Sequence, residues 1–182
     1  MTTAPREIVL AVTGGVAAYK VADVVSKLSQ AGHGVTVAMS RGAQKFVGPA
    51  TFAALSGRPV VTRLFDPGAH PLGAHIELAE RAQLLVVAPA TARFMAQAAL
   101  GLGDDLVSTL YLCCRCPVLI APAMNSRMWE QPAVQRNLRQ LREDGVHVAE
   151  PGSGWLSCRQ SGTGRMAEPA EILARIHELL AT

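Results

Sequence analysis

Long apolar runs are missing from this chain, and none reaches the ~18 residues that a membrane span needs. A strong charge of one sign is missing too. The net charge of +3 is too mild to point to nucleic acid. The opening residues, MTTAPRE, lack the charged-then-apolar layout of a secretion signal. Cysteine is sparse: there are four, with three bunched at 113, 114 and 116, which is no disulfide framework. A reducing cytoplasm is the expected setting. Aromatic residues make up only 4% of the chain, whereas apolar residues make up 49%. Ala, Val, Leu and Gly dominate, the texture of a parallel sheet covered by helices. A length of 182 residues suits one domain, and no linker or repeat divides it.

What is present is a series of short apolar runs, each ending in a turn. Residues 8–12 read as a strand that leads into Thr13-Gly14-Gly15-Val16-Ala17-Ala18-Tyr19-Lys20. Glycines at a strand-to-helix junction let backbone N–H groups face an anion, helped by the positive end of the next helix. That helix is marked by Val21, Val24, Val25 and Leu28 at i, i+3, i+4 and i+7. The glycine spacing matches neither GxGxxG nor a P-loop, so a plain tight turn stands beside the anion reading. Residues 35–39 form a second strand. Ser40 at its end is placed either to reach a phosphate or to cap a helix. A helix over about 43–55 and a short strand over 59–64 follow, then an irregular loop over 66–73.

His75 opens the next helical segment, where a histidine acts as acid or base or has a purely structural role. The other histidines fall in a turn (His33), a loop (His70), a strand (His147) and an exposed helix (His177). Residues 84–88, LLVVA, are the strongest strand and end in Pro89-Ala90-Thr91-Ala92-Arg93-Phe94. Helices are expected over about 92–100 and 104–114, with Leu106, Leu110, Cys113 and Cys114 on one apolar face of the second. Cys113 and Cys116 form a C-x-x-C with no second pair, so these thiols read as small apolar fillers and no metal site is expected.

The most telling stretch is 118–129, VLIAPAMNSRMW. A buried strand ends at Pro122, and Met124, Asn125, Met128 and Trp129 come off its carboxyl end. Ligands bind along that edge in open α/β sheets. The Asn125 amide suits a carboxylate beside an apolar wall; the alternative is a loop whose Met and Trp plug the core. A helix beginning at Pro132 and a strand over 146–149 follow. Residues 151–167, PGSGWLSCRQSGTGRMA, show no periodicity and read as a long functional loop. Cys158 lies there in polar, flexible surroundings that suit a reactive thiol. Pro169 starts a last helix with Ile172, Ile176, Leu179 and Leu180 on its apolar face.

The segments 14–20, 75–78, 89–92, 122–129 and 162–166 occur together in this order. In this the chain resembles the homo-oligomeric flavin-containing cysteine decarboxylases. The resemblance runs over about residues 8–180, and PxMNxxMW and a cysteine just before GxGRM are its specific motifs. It implies a doubly wound parallel α/β sheet of Rossmann-like flavoprotein type, in the strand order 3-2-1-4-5-6. It also implies FMN, and a site between protomers of a homotrimer that in some members assembles into a dodecamer. Gly14, Gly15, Val16 and Ser40 match the phosphate end of the flavin site. Thr91, Ala92, Arg93, Phe94 and Met124 match its surroundings. His75, Asn125 and Cys158 match the family's functional residues.

The implied reaction is redox-neutral loss of CO2 from 4′-phosphopantothenoylcysteine in coenzyme A synthesis. No side chain absorbs the carbanion charge, so a cofactor must carry that step. In this reading Asn125 holds the cysteine carboxylate, His75 assists proton removal across a protomer boundary, and Cys158 returns a proton. Arg165 and Met166 belong to the substrate loop, which closes as a lid. The alternative substrate is a peptide ending in cysteine. A flavin prenyltransferase is disfavoured by the intact PAMNSRMW, and a non-catalytic phosphatase regulator by the retained His75, Asn125 and Cys158. One departure stands out: Arg93 and Phe94 replace the family's usual asparagine and threonine. An arginine there either grips a phosphate or carboxylate or blocks a flavin contact. The resemblance is compatible with a free-standing enzyme and with one domain of a fused synthetase.

Overall fold

The computed structural model describes residues 4–181. Strand β1 (Glu7–Val12) lies inside a parallel sheet with β2 (Gly34–Met39), β3 (Leu84–Ala90), β4 (Val118–Pro122) and β5 (His147–Val148), in the order β2-β1-β3-β4-β5. Strands β1 and β2 pair in register from Glu7 opposite Gly34 to Val12 opposite Met39. The expected outermost strand over 59–64 is reduced to one bridge, with Val61 joined to β2 by its N–H to Val37 (2.9 Å) and its carbonyl to Met39 (2.8 Å). Counting that bridge, the order is the expected 3-2-1-4-5-6.

Alternation along β1 divides the core in two. Ile8, Leu10 and Val12 point into one layer, built with α1 (Ala18–Gln30), α2 (Pro49–Ser56) and α8 (Pro169–Ala181). Val9 and Ala11 point into the other, built with α3 (Ala74–Arg81), α4 (Ala92–Ala99), α5 (Leu106–Cys113) and α7 (Pro132–Glu143). Strands buried on both faces need near-continuous apolar sequence, and β3 is buried at every residue. Helix α1 buries Val21, Val24, Val25 and Leu28 completely, as their spacing requires.

Three expectations change. The single helix over 43–55 is broken into a 3-10 turn at Ala43–Lys45 and helix α2, because Gly48 is extended before Pro49, which restarts the helix at its first turn. Cys113 is exposed, since α5 ends there; Cys114 is already extended, and only Cys114 and Cys116 turn toward the core. Those two thiols pack against the core and share a hydrogen bond that pushes Cys114 up and brings Cys116 down to about 7.

The third change concerns 151–167, which is no irregular loop. Strands β6 (Gly152–Trp155) and β7 (Ser161–Arg165) form an antiparallel hairpin. Its root docks on the segment after β4, where Met124 N donates to the Gly164 carbonyl at 2.9 Å. Gly164 has φ +118°, and a Cβ there would lie 2.4 Å from the Met124 carbonyl oxygen. A Cβ on Gly162 would meet the Ser126 side chain at 2.9 Å, so both glycines are needed for the close seat.

Candidate functional site

The carboxyl ends of β1, β2, β3 and β4 open into one cleft of about 930 Å³. The edge of a doubly wound sheet collects ligand-binding groups in this way because each strand ends in a turn there. Gly14, Gly15, Val16, Ser40, Thr91, Ala92, Arg93, Phe94, Met124, Asn125, Arg165 and Met166 all line this cleft. His75 and Cys158 do not.

At one end the turn after β1 meets the turn after β2. A Cβ on Gly14 would stand 3.0 Å from both the Cα and the carbonyl carbon of Gly42, so this close seam requires glycine. Helix α1 (from Ala18) begins just beyond it, with no capping side chain and no acidic residue in its first turn. The N–H groups of Ala18, Tyr19 and Lys20 bond back to the carbonyls of Gly15, Val16 and Ala17, so an anion here would meet the N–H groups of the glycine turn that precedes the helix. Ser40 does cap: its Oγ accepts from Ala43 N at 3.2 Å. Its hydroxyl proton remains free to donate. A seam that a side chain would fill, the N–H groups of the glycine turn and a hydroxyl together fit a phosphate monoester.

Thr13, which sequence reasoning did not single out, organises the middle of the cleft. Its Oγ1 donates to the Pro89 carbonyl at 2.5 Å and accepts from Thr91 N at 3.1 Å. Thr91 in turn caps α4 by accepting from Phe94 N at 3.3 Å. Phe94 is 2% exposed and meets Tyr111 edge to face at 5.9 Å. Arg93 is held at the rim by Asp104 at 3.4 Å and Asp105 at 3.9 Å. Asp104 also takes a hydrogen bond from Gln97. The partners of Arg93 come from the turn before α5, which no local motif could reveal.

Asn125 caps the short helix α6 (Ser126–Trp129), its Oδ1 accepting from Met128 N at 2.8 Å. That bond commits the acceptor end of the amide and leaves the NH2 group to donate, the polarity a carboxylate requires. Trp155, Leu156 and Ser157 of the hairpin border the cleft, and Cys158 follows in the exposed turn. His75 lies in the first turn of α3 beside Gly73, and its Nδ1 is buried without a hydrogen-bond partner. Among the other histidines, His33 is buried and its Nδ1 accepts from Arg6 N at 3.2 Å; burial pushes its pKa down. His70 pairs with Glu77 at 2.7 Å.

Among the described residues, no group of three or more His, Cys, Asp or Glu is placed to hold a metal ion. No described helix is long and apolar enough to cross a membrane.

Comparison with known proteins agrees with this geometry. The coenzyme A biosynthesis bifunctional protein CoaBC of Mycobacterium tuberculosis (strain ATCC 25618 / H37Rv) is 47% identical over 177 residues, 97% of this chain and 42% of that protein. The chain therefore spans less than half the length of the curated relatives it matches. A PPC decarboxylase variant solved with pantothenoylaminoethenethiol superposes with a TM-score of 0.87 at 26% identity, over 98% of this chain and all of the other. The FMN-dependent cysteine decarboxylase SpaF gives 0.84 at 32% identity, over 100% of this chain and 98% of the other. The Flavoprotein family model matches residues 2–181, and the chain belongs to that family.

Proposed function

We propose that this chain binds FMN and decarboxylates 4′-phosphopantothenoylcysteine to 4′-phosphopantetheine, a step of coenzyme A synthesis. The observation that carries the reading is the Asn125 amide, fixed with its donor end free inside a cleft whose far end suits a phosphate. The relatives named CoaBC and the PPC decarboxylase neighbour support the same substrate.

Gly14, Gly15, Val16 and Ser40 would hold the FMN phosphate, with Thr91, Ala92, Arg93, Phe94 and Met124 about the ring. Bound FMN would supply a transient two-electron oxidation at the substrate's cysteine, giving the electron pair of the departing carboxylate somewhere to go. The chain's own residues do the rest. Asn125 donates its amide hydrogens to the carboxylate and fixes its orientation. His75 takes part in proton removal, and the Cys158 thiol delivers a proton to the product carbon. Arg165 and Met166, at the root of the hairpin, contact the substrate, and the hairpin shields it from water.

His75 belongs to this scheme through a neighbouring protomer. It is outside the cleft of its own chain, its Nδ1 lacks a partner, and Leu72 and Ile76, close by in sequence, are exposed apolar side chains. A homotrimer, alone or within a dodecamer, would cover that surface and bring His75 to the next cleft. Such an enzyme works in the cytoplasm.

The purified protein should be yellow, and it should release CO2 from 4′-phosphopantothenoylcysteine in preference to a peptide ending in cysteine. A colourless protein that takes up no FMN, or equal turnover of the peptide, would overturn the reading. Co-assembled His75→Asn and Asn125→Asp protomers should recover activity that neither has alone, and no recovery would place both residues in one protomer's site.

A further inference from the structure

The positive groups of the cleft are not equally available. Arg93 faces two aspartates, Asp104 and Asp105, whose charges together outweigh its own, so this group offers no net positive charge to an anion. Lys20 and Arg165 differ, because they share a single carboxylate. Lys20 Nζ lies 2.9 Å and 3.0 Å from the two carboxylate oxygens of Glu168, and Arg165 lies 2.9 Å from one of them. The Lys20 hydrogen bond holds the Glu168 carboxyl below the usual carboxylate range, so it stays ionised near neutrality. Two cations and one anion leave one positive charge facing the cleft that both cations line.

The three residues come from separate places. Lys20 stands in the first turn of α1, Arg165 ends β7, and Glu168 precedes α8. Lys20 is only 10% exposed, so its ammonium is held in place. The Arg165 guanidinium lies across Gly154, where a Cβ would be 3.0 Å from it, and this seats it over the opposite hairpin strand. Glu168 uses two of the three ammonium donors and leaves most of the guanidinium fork free. Ionised donors directed at one point by a carboxylate spacer suit a phosphate monoester.

We propose that Lys20 and Arg165, spaced by Glu168, form the subsite for the substrate's terminal phosphate, with Lys20 and Glu168 as specificity-determining and positioning residues. The inference rests on the decarboxylase reading above. The FMN phosphate is the other monoester in play, but the Gly14–Gly42 seam and Ser40 already provide for it. Arg165 is on the hairpin, which borders the cleft through Trp155, Leu156 and Ser157.

The test is calorimetric titration of FMN-loaded protein with 4′-phosphopantetheine and with pantetheine, which differ only in the phosphate. Wild type should prefer the phosphorylated ligand, and the preference should weaken as salt is raised. Lys20→Met and Arg165→Met should each cut the preference about tenfold or more, and Lys20→Arg should restore most of it. Glu168 is half exposed and keeps one cation in either variant, so both should fold. No preference in wild type, or an undiminished preference in both variants, overturns the proposal. So does loss of FMN with the preference intact. A retained preference in a protein that releases no CO2 would count against the decarboxylase reading and leave the subsite standing.

Discussion

Replacing Asn125 by aspartate separates the two tasks of this side chain. Its Oδ1 caps α6 through Met128 N at 2.8 Å, and its NH2 group is free in the cleft. Aspartate caps as well as asparagine does, so Asn125→Asp should leave the melting temperature nearly unchanged. Asn125→Ala loses the cap and should cost about 1 kcal/mol. The catalytic effect runs the other way. Aspartate removes a hydrogen bond to a charged group, worth about 1.5–3 kcal/mol. It also sets a second carboxylate beside the substrate's, at about 4 kcal/mol for charges ~4 Å apart in a partly buried site. Together these reach about 5.5–7 kcal/mol, a fall in kcat/KM of roughly 10⁴- to 10⁵-fold. Alanine loses only the hydrogen bond and should retain more activity than aspartate despite being less stable. Thermal scans paired with CO2 release from 4′-phosphopantothenoylcysteine measure both effects. An Asn125→Asp enzyme as active as wild type, or more active than Asn125→Ala, would refute the carboxylate-holding role.

Gly164→Ala forces a side chain into φ +118° and against the Met124 carbonyl, and it strains the bond from Met124 N. It should cost about 2–4 kcal/mol, lowering the melting temperature by roughly 5–15 °C; an unshifted transition would mean that the hairpin is not seated as described. Cys158→Ser should still release CO2 but accumulate an oxidised enethiol in place of 4′-phosphopantetheine, detectable by mass spectrometry, and normal product would remove Cys158 from the proton step. Buried His33 is held neutral, its Nδ1 accepting from Arg6 N and its pKa below the ordinary 6.5. The unfolded chain therefore binds the proton first, and stability should fall as the pH drops below about 6.5. In His33→Gln that slope should flatten when melting temperature is followed against pH, and an unchanged slope would assign it to other groups.

The sheet was legible because strands buried on both faces must be written as apolar runs, as 84–88 and 118–121 are. The cleft followed from them, since Thr91 and Asn125 come just after such runs. The hairpin was hidden for the opposite reason. GSGW and SGTGR carry no apolar alternation, and their strands rest on contacts with Met124 and Ser126, far away in sequence. Thr13 was equally silent, because its partners Pro89 and Thr91 lie on another strand. The placement of Arg93 against Asp104 and Asp105 needed the fold as well. The residues around His75 left it between an acid–base and a structural role, the resemblance chose the former, and one chain by itself does not bring it to the cleft.

The Thr13 hydroxyl touches both halves of the cleft: the glycine turn follows it in sequence, and the β3–α4 junction hangs from it. One oxygen atom thus ties together two turns that both line the cleft. Valine there would preserve volume yet cut the tie, leaving the pairing of β1 with β3 to hold the two turns. The spacing between the two turns is accordingly fixed in part by hydrogen bonds of the scaffold itself.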